Sequence, residues 1–143
     1  MPFDFPPMLR QQLVTMMEHP SGYRVLPTPH PALSVLSDFS TTTYLTADGR
    51  VLMDDDDQPL HETHDPYLLH ATLIKAAERF HLPQLRTFIP ACPPEGVVCP
   101  TCQGTQRMII DGQPLNIFCH PCQARGWIVP ALDSVAATEG ECH

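Results

Sequence analysis

Apolar residues recur over residues 6–19 at Leu9, Leu13, Met16 and Met17, the i, i+4, i+7, i+8 stripe of a single helix face. Pro6 and Pro7 suit the first helical positions, and Pro20-Ser21-Gly22 ends the pattern, so one short amphipathic helix is predicted. Residues 20–40 hold four prolines and no clear period. They read as irregular chain with a short strand at Tyr23–Leu26. Two β-prone runs then flank Ala47-Asp48-Gly49: Thr42–Thr46 and Arg50–Met53. Asp-Gly between such runs predicts a hairpin, because glycine supplies the positive φ of the turn. Asp54 to Asp57 end the second strand as a solvated acidic loop. A second helix starts at Asp65-Pro66, with Leu69, Leu73, Ala76, Ala77 and Phe80 on one face. The residue before Pro83 is forced out of helical geometry, so this helix ends near His81-Leu82. Pro83 opens a shorter helical turn through Phe88, folding Leu85, Phe88 and Ile89 back onto the helix face.

Composition narrows the picture. The chain has 143 residues, 43% of them hydrophobic, and 17 prolines. That many fixed φ angles favour short elements over long helices or a large sheet. The formal charge is −8, from 8 Lys and Arg against 16 Asp and Glu. Such a balance repels nucleic-acid phosphates and anionic membranes and suits a basic protein partner. No stretch reaches the ~20 apolar residues of a membrane span. The Met1–Pro7 start lacks the basic and apolar regions of a secretory signal, so a soluble, cytoplasmic protein is expected.

The chemistry is concentrated near the C-terminus. Cys99-Pro-Thr-Cys102 and Cys119-His-Pro-Cys122 stand sixteen residues apart, a C-x2-C…C-x2-C pattern. Two residues between cysteines let a tight turn aim both sulfurs at one point, and two such turns complete a tetrahedron around one structural Zn²⁺. Arg107–Ile110 and Leu115–Phe118 can form a hairpin through Asp111-Gly112, with Trp127–Val129 as a third strand. Disulfides and a redox pair are the competing readings. Nothing marks the chain as secreted, and a thioredoxin-like motif would occur once, at a helix start. Four thiolates leave zinc no open position, so no catalysis is expected. Arg107 and Arg125 are the nearest cations available to offset the −2 charge of such a site.

Cys99-Pro-Thr-Cys102-Gln-Gly104-Thr-Gln106 and Cys119-His-Pro-Cys122-Gln-Ala124-Arg-Gly126 resemble two repeats of the DnaJ-type cysteine-rich motif, C-x-x-C-x-G-x-G. That family carries four repeats and two zincs; this chain has repeats for one. Gly104 and Gly126 match motif glycines, whereas Gln106 and Ala124 replace the other two. The resemblance implies zinc binding and protein contacts. It does not extend to co-chaperone activity, since the J-domain His-Pro-Asp is absent and His64-Asp65-Pro66 has the wrong order. Leu45–Val51, in its hairpin-then-helix setting, also resembles the SUKH class, many of whose members are acidic immunity proteins that bind toxins.

Other candidate groups read as ordinary surface or core. His61-Glu62-Thr63-His64 is one residue short of H-E-x-x-H, so its histidines cannot lie one helical turn apart. With His70 and Asp54–Asp57 nearby, a second metal site is conceivable, but scattered surface histidines are the default. Cys92 reads as a small buried residue in a proline-rich stretch, and Cys142-His143 as a frayed end. The expectation is therefore an α+β protein: a helix/β-hairpin/helix domain at 1–92, a proline-rich linker at 93–96, a four-cysteine zinc-ribbon-like module at 97–130 and a tail at 131–143. Its expected function is non-catalytic, zinc-stabilised protein interaction. The alternatives are an acidic immunity or inhibitor protein that binds a basic toxin or nuclease, and a nucleic-acid-binding zinc ribbon.

Overall fold

The computed structural model describes residues 3–18, 25–26, 31–37, 41–54 and 59–129. The chain divides into two compact units, Met1–Phe88 and Ile89–His143. Secondary structure is mixed: helices with antiparallel sheets, an α+β fold.

The first unit begins with helix α1, Pro7–Glu18, which buries Leu9 and Leu13. Strands β1 (Val25–Leu26), β2 (Ala32–Ser37), β3 (Thr42–Thr46), β4 (Val51–Asp54) and β5 (His61–Glu62) form one antiparallel sheet in chain order. The expected hairpin is its β3–β4 pair, in register Thr42↔Asp54 to Leu45↔Val51. Gly49 in its turn has φ +91°, and a Cβ there would collide with the Phe3 carbonyl oxygen. That contact exists because Phe3 N–H donates to Gly49 O at 2.8 Å, tying the chain's start to the hairpin.

Two strands depart from expectation. β2 occupies a stretch read as irregular, and His61-Glu62 is an edge strand paired with Met53 and Leu52. β2 carries a bulge between Ser34 and Leu36, so its burial does not alternate strictly. Two side chains satisfy the backbone at this point. Arg79 Nη1 donates to Val35 O at 2.7 Å, and Leu36 N–H donates to Thr43 Oγ1 at 3.3 Å. Of the expected Tyr23–Leu26 strand, Val25–Leu26 is present; Tyr23 and Arg24 lie outside the described residues, as do Asp55–Asp57 of the acidic run.

Helix α2, Pro66–Arg79, packs on β2 and β3. Asp65 caps it, accepting from Tyr67 N–H at 3.1 Å, and Pro66 needs no partner at the first position. The buried face is wider than the apolar stripe: Leu73, Ala76 and Ala77 are joined by His70, Ala71, Thr72 and Ile74, while Leu69 is half-buried. Thr72 Oγ1 bonds Thr43 Oγ1 at 3.1 Å within this interface. A 3-10 helix, Pro83–Phe88, follows; Leu85 is fully buried, and Phe88 packs on Phe5 at 4.9 Å between ring centroids.

The second unit contains two small antiparallel sheets. Strands β7 (Arg107–Ile110) and β8 (Gln113–Phe118) form a hairpin over Asp111-Gly112. β9 (Trp127–Ile128) does not join this hairpin as a third strand; it pairs with β6 (Val97–Val98).

Candidate metal centre

Each Cys-x-x-Cys pair sits in a loop of closely related backbone shape, twenty positions apart. Gln103 and Gln123 have φ of +54° and +55°, Gly104 and Ala124 +82° and +60°, and Gln106 and Gly126 +71° and +90°. Three left-handed residues after the second cysteine turn the chain back on itself. The loops lock each other reciprocally: Cys99 N–H donates to Gly126 O at 3.0 Å, and Cys119 N–H to Gln106 O at 2.9 Å. Further bonds close each loop, from Thr105 N–H to Cys102 O at 2.9 Å and from Arg125 N–H to Cys122 O at 3.1 Å. All four positions matching the C-x-x-C-x-G-x-G glycines are left-handed, including Gln106 and Ala124, which lack glycine's freedom.

The result is a pseudo-symmetric cage. The Sγ atoms of Cys99, Cys102, Cys119 and Cys122 lie within 4.8 Å of one another, and all four residues are buried. Across the loops, Cys99 and Cys119 sulfurs are 3.8 Å apart, and Cys102 and Cys122 sulfurs 3.6 Å. Four sulfurs on a tetrahedron with ~2.3 Å metal bonds would be ~3.8 Å apart. Met108 and Ile128 pack against the cluster, and Gly126 N–H donates to Cys122 Sγ at 3.3 Å.

The electrostatics favour a cation. Burial pushes the Cys122 thiol up to about 11, and its neighbour Cys102 adds to the rise. Burial also raises Cys119, with repulsion from Cys122 and Cys102 behind it. Cys99 is moved up by burial but more than compensated by the backbone amides of Cys102 and Thr101, so its pKa is lowered. Thiols that resist ionising together are stabilised as thiolates once a divalent cation sits among them.

The two arginines noted in the sequence both lie on aromatic rings. Arg107 stands 4.9 Å from the Phe118 ring centroid, and Arg125 4.0 Å from that of Trp127. Nothing in the spacing announced these pairs; the Arg107↔Phe118 register of the hairpin produces the first. Cys92 is not part of the cluster, and it is half-buried rather than buried. Cys142 and His143 lie outside the described residues. His61, His64, His70 and Asp54 are not gathered into a second site: the cysteine cluster is the only such group among the described residues. Also among them, no helix is long and apolar enough to cross a membrane.

Comparison with protein-family models, curated proteins and solved structures returns no match for this chain.

Proposed function

We propose that this protein binds one structural Zn²⁺ through Cys99, Cys102, Cys119 and Cys122, and that the metal-stabilised module mediates contacts with another protein. The observation that carries the reading is the buried cage of four sulfurs within 4.8 Å. Zinc is favoured over hard cations because every donor is a thiolate, and a closed four-coordinate site is structural rather than catalytic. The reading is therefore of a non-enzyme.

Protein contact is supported by the surface of the module. Residues 97–129 contain no lysine and no glutamate, while Ile110, Ile117 and Val129 are exposed. Loss of Lys and Glu beside Arg and Trp side chains is a feature of interface cores. Nucleic acid is disfavoured: Arg107 and Arg125 are the only basic side chains in the stretch apart from His120, and phosphate binding draws on many cations. Four free thiols fit a reducing compartment such as the cytoplasm.

Elemental analysis tests the metal. The Cys92→Ser, Cys142→Ser double variant is expected to retain one zinc per chain, and Cys102→Ser to lose it. A double variant without metal would remove the assignment.

A further inference from the structure

Arg125 is held by two contacts, and the ring beneath it is itself fixed. Its Nε donates to Cys122 O at 3.2 Å, and its guanidinium lies 4.0 Å over the Trp127 ring. Trp127 is itself fixed, since its Nε1 donates to Pro90 O at 2.9 Å. The two Nη groups have no hydrogen-bond or ion-pair partner among the described residues. A guanidinium locked in one orientation, with its outer edge open, is built for a planar oxyanion.

We propose that Arg125 on Trp127 is the anchor of the interaction surface and that its partner is an acidic, aliphatic protein segment, a carboxylate of which pairs with the Nη edge. The proposal rests on residues 97–129 being a protein-contact module. Three observations define the partner's chemistry. The open edge presents two parallel N–H groups, which match a carboxylate in bidentate geometry. The large apolar side chains exposed on the described part of the module are Ile110, Ile117 and Val129, which call for aliphatic side chains in a partner. The excess negative charge of the chain lies outside residues 97–129, where Asp111 is the sole carboxylate. Because the Arg125 side chain is already ordered, little rotamer entropy is lost on binding, and such Arg–Trp positions are where interface energy concentrates.

The test uses the zinc-loaded full chain as bait for short random peptides displayed on phage, at physiological ionic strength. Peptides combining Asp or Glu with Leu, Ile or Val are expected to be enriched. A synthetic enriched peptide should bind at least about tenfold more weakly to Arg125→Gln, the loss expected of a charge-assisted pair. Arg125→Lys should not restore binding, because an ammonium neither stacks on indole nor forks onto a carboxylate. Zinc content of each variant shows whether the cage is intact. Changing the peptide's own carboxylate to its amide gives the same loss without touching the fold. Enrichment of basic peptides, or acidic ones indifferent to both changes, overturns the anchor while leaving the protein-contact reading in place. A bait that enriches nothing overturns both. So does one that holds a single-stranded oligonucleotide more tightly than any selected peptide.

Discussion

At the residue scale the site depends on backbone angles that side chains normally avoid. Gln103, Gln106, Gln123 and Ala124 all have positive φ, a cost of roughly 1 kcal/mol or more for each non-glycine residue. Such residues persist where surrounding bonds over-determine them, here the reciprocal amide bonds between the loops. Gly126 is more tightly constrained. At φ +90°, a Cβ would stand 3.2 Å from Gly104 O and 3.3 Å from Gln106 Cγ, where the two loops meet. Gly112, at φ +76°, has open space around it. Gly126→Ala is therefore expected to weaken zinc retention against a competing chelator and to destabilise the metal-loaded unit by ~1–3 kcal/mol. Gly112→Ala should cost less and leave zinc retention unchanged. Protonation provides a second residue-scale expectation. Cys119 and Cys122 are raised above their ordinary value, to about 11 for Cys122, so both are protonated at neutral pH without metal. Zinc binds thiolates, so loading must release at least these two protons. Apparent affinity should then rise with pH through the neutral range and fall on acidification. Calorimetry in buffers of different ionisation enthalpy counts the protons; a release below two would contradict this expectation.

At the element scale, what could be read from sequence follows from how local the determinants are. The start of α2 was legible because its signals are its own, Asp65 capping and Pro66 starting. Its end falls at Arg79, ahead of the His81-Leu82 expected from Pro83, because His81 turns the chain out of the helix at φ +57°. Asp65→Ala is expected to destabilise the first unit by ~1 kcal/mol, the usual cost of a lost N-cap, read as a shift in the denaturant midpoint. The β3–β4 hairpin was legible for the same reason, since Asp48-Gly49 sets its turn. β2 was not, because its support is distant in sequence. Its bulge at Val35 is satisfied by Arg79, 44 residues away, and by the hydroxyl of Thr43. Three prolines before it at 27, 29 and 31 also mask a strand that begins at Ala32. Arg79→Met keeps the long apolar stem but leaves Val35 O without that donor. It should cost ~1–3 kcal/mol, more than Asp65→Ala. The β6–β9 pairing was hidden in the same way: Val97 and Ile128 meet only because the two cysteine loops bring the ends of the module together.

At the scale of the whole molecule, the two units owe their stability to different things. Met1–Phe88 has an apolar core of its own, with Leu9, Leu13, Leu33, Leu45, Leu73, Ile74 and Leu85 almost wholly removed from water. In the second unit the four cysteines themselves form the buried cluster, with Met108 and Ile128 leaning on it and Ile89, Val97, Phe118 and Ala124 as the other buried apolar side chains among the described residues. Two short sheets, one of them only two residues per strand, cannot hold such a unit without a further staple. The sequence carries this contrast in its cysteine spacing, and its proline-rich stretch at 93–96 reads as a linker, whereas the two compact units divide between Phe88 and Ile89. The binding free energy of a four-thiolate zinc, ~10–16 kcal/mol in small zinc-finger peptides, exceeds what the second unit's few apolar residues can provide. Removing the metal should thus unfold one unit and spare the other. Hydrogen exchange on the full chain before and after chelation is expected to show amides from Val97 to Val129 losing protection, first those of Cys99 and Cys119 that bridge the loops. Amides of α2 and of β2–β4 should keep theirs, and zinc added back should restore the first set alone. Loss of protection in α2 at the same chelator concentration would mean that the units melt together and that zinc stabilises the entire chain.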